Sequence, residues 1–318
     1  MMSELLTIGE PITLFASTDL DKSLTDAEHF RKYLAGAEVN VSVGAARLGH
    51  SVEYISQVGT DAFGTFIRQQ LEANHVGTRY LAQTPDHWTG LQFKNQVSHG
   101  DPATAYFRRG SAAAHLSPAS LGKIDFDGVR WAHITGIFPA ISYKALAAVQ
   151  QFMFLLHEHQ IEFTFDPNIR PSLWANHDTM VSTLNMLARE ATIVLPGIGE
   201  GEQLVGTRDP EKIADFYLGQ GKYTQAVVVK IGPKGAFVKT RAGETFTVPG
   251  FKAAKVVDTV GAGDGFALGL ITGLLEKLPL AKAVQRANAV GAIAVQHPGD
   301  NDGYPTQEAL QAFLDANA

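Results

Sequence analysis

The sequence predicts one α/β domain, a mainly parallel sheet covered by helices on both faces, with a small β lid. Three observations carry this. Apolar strand-like runs alternate with helical patterns along most of the chain. Hydrophobic residues make up 45% of the 318 positions, enough to fill one large core. Two segments, residues 11–35 and 88–109, break the alternation with short apolar runs and polar turns such as "SHGDPA". They read as β excursions that converge into a lid; ordinary surface loops are the alternative. No internal repeat, low-complexity tract or linker divides the chain.

The elements follow in order. "LLTIGE" is a first buried strand. "AEVNVSVGAARLG" spaces Val39, Val43, Ala46 and Arg47 helically and stops at Gly49. "VEYISQVG" is a strand and "FGTFIRQQLEAN" a helix. "RWAHITGIF", "IEFTFD" and "ATIVLP" are strands, separated by the helices "YKALAAVQQFMFLLHEH" and "TMVSTLNMLARE". "QAVVVKIGPKGAFVKT" reads as two strands joined at Gly232-Pro233-Lys234-Gly235. Helices are expected from Asp264 to Lys277 and from Leu280 to Gln296. In the last helix, "TQEALQAFLDANA", Thr306 is the N-cap.

Composition excludes several classes. The net charge is −6 and the basic residues are dispersed, so neither nucleic acid nor an anionic membrane is an expected partner. There is no cysteine, hence no disulfide and no thiolate metal site, which suits the cytoplasm. "MMSELLTIGEP" lacks the basic start of a signal peptide, and no apolar run approaches the roughly 20 residues of a membrane span. There is no P-loop; "GAARLG" lacks dinucleotide-binding spacing, and "GIGEGE" puts Glu202 where the third glycine belongs. The "HEH" at 157–159 lacks the zinc-protease spacing.

The chemistry concentrates in "DTVGAGDGF", Asp258 to Phe266. Gly261-Ala262-Gly263 can aim successive backbone N–H groups at one point, and the following helix adds its positive dipole end. Such a nest holds an anion, most often phosphate. Asp264 in its midst has two readings: a helix cap, or a general base beside a transferring phosphoryl group.

The longer string resembles the second signature of the PfkB/ribokinase carbohydrate kinases, D-T-x-G-A-G-D-x-F, at every specified position. "AGAEVN" resembles the first signature, G-G-x-x-x-N, with Ala35 in place of the first glycine. The similarity runs from "GEPITLF" to "PTQEALQAFL", essentially the whole chain. It implies a ribokinase-like three-layer sandwich, with Asp264 as catalytic base and Gly261, Ala262 and Gly263 as the anion hole. It further implies ATP with Mg²⁺. Gly232 and Gly235 match the nucleotide phosphate and ribose region, and Asn288 lies near the adenine. Glu200 matches the Glu of N-x-x-E, which orders water around Mg²⁺, although Gly197 replaces the Asn. Asp258 has two readings, a monovalent-cation contact as in some relatives and a loop-bracing carboxylate. A homo-oligomer is expected.

For the substrate, Gly36 and Asn40 match the family's sugar segment. Many fructokinases read G-E-x-L-x-D-F near the start; here Leu14 stands in the Asp position. Two arginines supply another chemistry. Tyr106 and Arg108 in "AYFRRG", and Asn168 and Arg170 in "FDPNIRP", resemble the substrate positions of the 2-keto-3-deoxygluconate kinases of this family. There Asn168 and the second Arg also approach the nucleotide. Arg can fork onto a carboxylate. One departure is Gln92, where those kinases often carry an aromatic residue. The expected activity is ATP-dependent phosphorylation of a small sugar acid at its terminal hydroxyl. The alternatives are a fructokinase or ribokinase acting on a neutral sugar, and a non-catalytic sugar-acid sensor on the same fold.

Overall fold

A computed structural model describes residues 3–100, 102–257, 261–297, 299 and 301–317. The strands are β1 (Leu5–Ile8), β2 (Ile12–Leu20), β3 (Phe30–Ala35), β4 (Val52–Gly59), β5 (Leu81–Thr84), β6 (Leu91–Gln96) and β7 (Thr104–Phe107). They continue with β8 (Trp131–Thr135), β9 (Glu162–Asp166), β10 (Ile193–Val194), β11 (Ala226–Lys230), β12 (Gly235–Thr240) and β13 (Thr245–Pro249). The helices are α1 (Ala37–Arg47), α2 (Ala62–Ala73), α3 (Tyr143–Glu158), α4 (His177–Ala188) and α5 (Ile198–Val205). After them come α6 (Pro210–Gln220), α7 (Ala262–Leu275), α8 (Leu280–Ala294) and α9 (Gln307–Ala316).

The main sheet has nine strands in the order β13-β12-β11-β10-β9-β8-β1-β4-β5. From β11 to β5 every pairing is parallel; β12 and β13 add an antiparallel edge. Strand periodicity divides the side chains between the faces. Leu6 and Ile8 enter the core beneath α3, whereas Leu5 enters the core beneath α7 and α8. Val227 and Val229 join the first core, Ala226 and Val228 the second. Helices therefore cover both faces, as the unbroken apolar runs require.

The chain leaves β1 toward β4 on one side and later returns to β8 on the other. That reversal opens a crevice at the carboxyl ends of β1 and β8, where sheets of this kind bind ligands. The two excursions meet in a second, four-stranded sheet of order β3-β2-β6-β7. Phe15 stacks on Phe93 at 5.1 Å between ring centroids and meets Phe63 of α2 edge-on at 5.6 Å. This sheet springs directly from the end of β1 through Gly9-Glu10-Pro11, so its root lies over the crevice.

Some elements differ from the expectation. Only Ile193 and Val194 of "ATIVLP" pair as strand. β5, β13, α5 and α6 occupy stretches with no assigned pattern: β5 and β13 are edge strands with mixed burial, and the two glycines of α5 mask its periodicity. Thr306 does cap α9, accepting from the Ala309 amide at 3.3 Å. Among the described residues, no helix is long and apolar enough to cross a membrane.

Candidate active site

The glycine-rich loop opens α7. Gly261 holds φ at +78°, the left-handed conformation that a glycine adopts without strain, and starts the helix. A first helical turn leaves its amide N–H groups without intrahelical partners; here they belong to Ala262, Gly263 and Asp264. Asp264 lies in this turn, partly buried in the cleft wall. Its Oδ2 accepts from Asn40 Nδ2 at 2.8 Å and its Oδ1 from Asn168 Nδ2 at 3.2 Å. Withdrawal from water pushes the carboxyl up to about 7; the Asn40 hydrogen bond and Arg170 oppose this, and Asp166 and Glu38 reinforce it. A carboxylate of that proton affinity is suited to general-base work near neutral pH.

A second cluster forms where β9, β11 and α5 end or begin. Asp166 closes β9 and accepts from Lys230 Nζ at 2.6 Å, while Glu200 Oε2 lies 3.9 Å from the same ammonium. Glu200 also accepts from the Gly197 amide at 2.6 Å and the Ile169 amide at 3.1 Å, which locks the turn after β9 to the start of α5. Burial raises the Glu200 proton affinity, partly offset by Lys230. Burial opposes the charge on Lys230, but Asp166 and Glu200 more than compensate, so its pKa is raised. Asn168, in this turn, holds φ at +39°, a region that Asn tolerates better than most residues. Its amide faces Asp264.

The third cluster lies at the root of the four-stranded sheet. Arg108 is buried, with Nε and Nη2 at 2.6 and 2.5 Å from Glu10 Oε2. Ser111 Oγ donates to the other Glu10 oxygen. Tyr106 is exposed on β7, with the Arg108 guanidinium 5.6 Å from its ring centroid. Glu38, in the first turn of α1, accepts from Thr135 Oγ1 at 2.6 Å; burial pushes it up to about 7. Gly36 precedes α1 at φ +132°, and a Cβ there would stand 2.7 Å from the Glu10 carbonyl oxygen.

These clusters wall one cleft of about 720 Å³, lined among others by Gly36, Asn40, Tyr106, Arg108, Arg170 and Asp264. Arg170 is exposed at its edge; its Nη1 donates to the Ile169 carbonyl at 2.9 Å, and no carboxylate pairs with it among the described residues. Gly261, Gly263, Asn168 and Glu200 line the same cleft. Three of the expected nucleotide residues, Gly232, Gly235 and Asn288, are not among the residues lining the cleft. Gly232 opens the turn between β11 and β12, Gly235 pairs with Pro249, and Asn288 Nδ2 donates to the Val248 and Pro249 carbonyls at 3.1 Å. Gly232 and Gly235 follow directly on β11, which ends at Lys230. Asp258 lies outside the described residues.

Glu10, Glu38, Ser111, Thr135 and Lys230 were not expected at the site, and Asp166 was expected only as a strand end. One signal was available for Asp166 and Lys230: each is a charged residue closing an apolar strand at the ligand-binding edge.

The pfkB family carbohydrate kinase model matches residues 2–307. The chain belongs to this family. It is a carbohydrate kinase with the ribokinase-like α/β fold. Among curated kinases it is 44% identical over 317 residues to the 2-dehydro-3-deoxygluconokinase of Bacillus subtilis (strain 168), covering 99% of this chain and 97% of that one. It is 25% identical to the 5-dehydro-2-deoxygluconokinase of Listeria monocytogenes serotype 4a (strain HCC23), with 98% and 95% covered. Among solved structures, a PfkB protein from Polaromonas sp. JS666 superposes with a TM-score of 0.88 at 40% identity, covering 98% and 99% of the two chains. An E. coli ribokinase-like protein in complex with ATP and Mg²⁺ superposes with a TM-score of 0.88 at 26% identity, covering 99% and 100%.

Proposed function

We propose that this kinase transfers the γ-phosphoryl group of ATP to the terminal hydroxyl of 2-keto-3-deoxygluconate, giving 2-keto-3-deoxy-6-phosphogluconate and ADP. One observation carries the reading: a carboxyl of raised proton affinity, Asp264, shares a cleft with Arg170, a guanidinium that forms no salt bridge among the described residues. Asp264 takes the proton from the attacking hydroxyl. The hydroxyl oxygen forms the new bond to phosphorus as the bond to the ADP oxygen breaks. The N–H groups of the first turn of α7 face the charge on the transferring group. Arg170 and Arg108, which both line the cleft, meet the substrate carboxylate.

The donor set suits Mg²⁺ that arrives on nucleotide phosphates and keeps its water. Glu200 is the cleft carboxylate suited to hold such water, and Lys230 beside it limits direct ligation. When bound, Mg²⁺ neutralises charge on the β- and γ-phosphates. Comparing rates in K⁺, Na⁺ and an organic cation tests the monovalent-cation reading of Asp258. Dependence on ATP is consistent with the cytoplasm.

A panel of sugars and sugar acids with Mg-ATP, read by ADP release, tests the substrate. 2-Keto-3-deoxygluconate should lead in kcat/KM. Arg170→Ala should lower that value roughly 10–100-fold, the worth of a charge-assisted contact, and hardly change turnover of any neutral sugar. A loss confined to KM for ATP would reassign Arg170 to the nucleotide. A preference for fructose or ribose would replace the sugar acid by a neutral sugar, and no turnover with any substrate would favour a sensor.

We further propose that the sheet β3-β2-β6-β7 closes over bound sugar and excludes water that would hydrolyse ATP. Tyr106, Gln92 and Thr104 of this sheet line the cleft. Hydrogen exchange in residues 11–35 and 88–109 should slow with saturating substrate. Unchanged protection in both segments rules closure out.

A further inference from the structure

The catalytic carboxyl is the end of a chain of amides whose other end lies far from the chemistry. Asn301, between α8 and α9, donates through Nδ2 to the Leu34 carbonyl at 3.3 Å and to Asn40 Oδ1 at 3.0 Å. Asn40 in turn donates through Nδ2 to Asp264 Oδ2 at 2.8 Å. The order of donors is forced. A backbone carbonyl can only accept, so Leu34 fixes which end of the Asn301 amide faces inward. That NH₂ group then requires the oxygen of Asn40, and the Asn40 NH₂ is left pointing at Asp264.

The segment that carries Asn301 is itself pinned. Arg47 Nη1 donates to the carbonyls of Asn301, Asp302 and Tyr304 at 3.2, 3.4 and 2.8 Å. Tyr304 is buried, and its hydroxyl donates to the Gly261 carbonyl at 2.8 Å, at the start of α7. Residues 301–304 thus bracket α1, which carries Asn40, and α7, which carries Asp264.

We propose that Asn301 is a positioning residue for this kinase: it holds the Asn40 amide in the one orientation that presents an N–H donor to Asp264. The inference rests on the reading of Asp264 as base. An N–H donor favours the charged, proton-accepting carboxylate, whereas a carbonyl oxygen in its place would disfavour it. The other groups facing Asp264 are the Asn168 amide and, among charged groups, Asp166 from β9, Arg170 from the turn after it, Glu38 from α1 and Lys230 from β11. None of them is touched by a change at Asn301.

The test is kcat against pH at saturating substrates for wild type, Asn301→Asp, Asn301→Ala and Asp302→Asn, with KM for ATP and a melting curve for each. Asn301→Asp has nearly the same shape but can only accept, so the Asn40 NH₂ is drawn away from Asp264. Its acid limb should move up by about one pH unit, while kcat at high pH recovers to within a few-fold of wild type and KM for ATP is unchanged. Asn301→Ala removes the enforcement without opposing it and should move the limb by less than half as much. Asp302→Asn changes a neighbouring charge without entering the amide chain and should leave the limb in place. A wild-type limb in Asn301→Asp, a uniform loss at all pH values, or an equal and opposite shift in Asp302→Asn overturns the proposal. If Asn301→Ala does not fold, the near-isosteric Asn301→Asp carries the test. Asp264→Asn separates the two readings. Should that variant stay active, the base assignment fails; should it be inactive while Asn301→Asp keeps the wild-type limb, only the role of Asn301 fails.

Discussion

Asp264→Asn is expected to lower kcat by roughly 10²–10⁴-fold, the usual worth of a positioned general base, while ATP still binds and the fold persists. The amide has the size of the carboxyl and its one oxygen can still accept from Asn40, but it cannot take a proton. The wild-type pH profile should report the same group. With Asp264 pushed up to about 7 by withdrawal from water, the free enzyme's acid limb of kcat/KM should lie near neutrality, with activity rising as pH rises through it. The sign for stability is opposite. A carboxyl that holds its proton more tightly in the fold than in the unfolded chain stabilises the fold most below its ordinary value of 3.8, and this contribution is lost as pH rises toward about 7. The Asn variant carries no such charge beside Asp166 and Glu38. At pH 8 it should therefore melt above wild type, although it is nearly inactive. Retention of more than about a tenth of kcat would show that Asp264 is not the base.

Arg108→Ala should have the second largest effect, and it should be double. Loss of a contact to the substrate carboxylate, worth about 1.5–3 kcal/mol, lowers kcat/KM for the sugar acid roughly 10–100-fold. Truncation also strands Glu10, whose side chain is 1% exposed and pairs with Arg108 through two nitrogens. Breaking a buried pair from one side typically costs about 3–5 kcal/mol of stability. The double variant Arg108→Ala/Glu10→Gln should recover most of the melting temperature but none of the preference for the acid. This coupling makes Arg170 the cleaner probe of substrate charge. Equal losses for acid and neutral substrates in the folded double variant would remove Arg108 from carboxylate binding.

Much of the fold was legible because its signals are local. The alternation of apolar strands with amphipathic helices needs only neighbouring residues to read, and so does the Thr306 cap. The start of α6 was equally local and passed unread: Asp209 caps it, accepting from the Glu211 amide at 3.0 Å, and Pro210 fills the first turn. The edge strands β5 and β13 were illegible for a physical reason. Each is short and half exposed, so no alternation distinguishes it from a loop.

By itself the sequence determined the glycine-rich loop, its carboxylate and the cation chemistry of the arginines, since these depend on residue type within a few positions of the chain. Only the tertiary structure decided which of those groups are engaged. Asn40 reaches Asp264 across 224 positions, Arg108 reaches Glu10 across 98, and Lys230 reaches Asp166 across 64. These pairings follow from the order of strands in the sheet, which brings the ends of β1, β8, β9 and β11 to one edge. Two arginines alike in sequence thereby differ in setting: Arg108 is braced by a buried carboxylate where it lines the cleft, and Arg170 lines the cleft without such a brace.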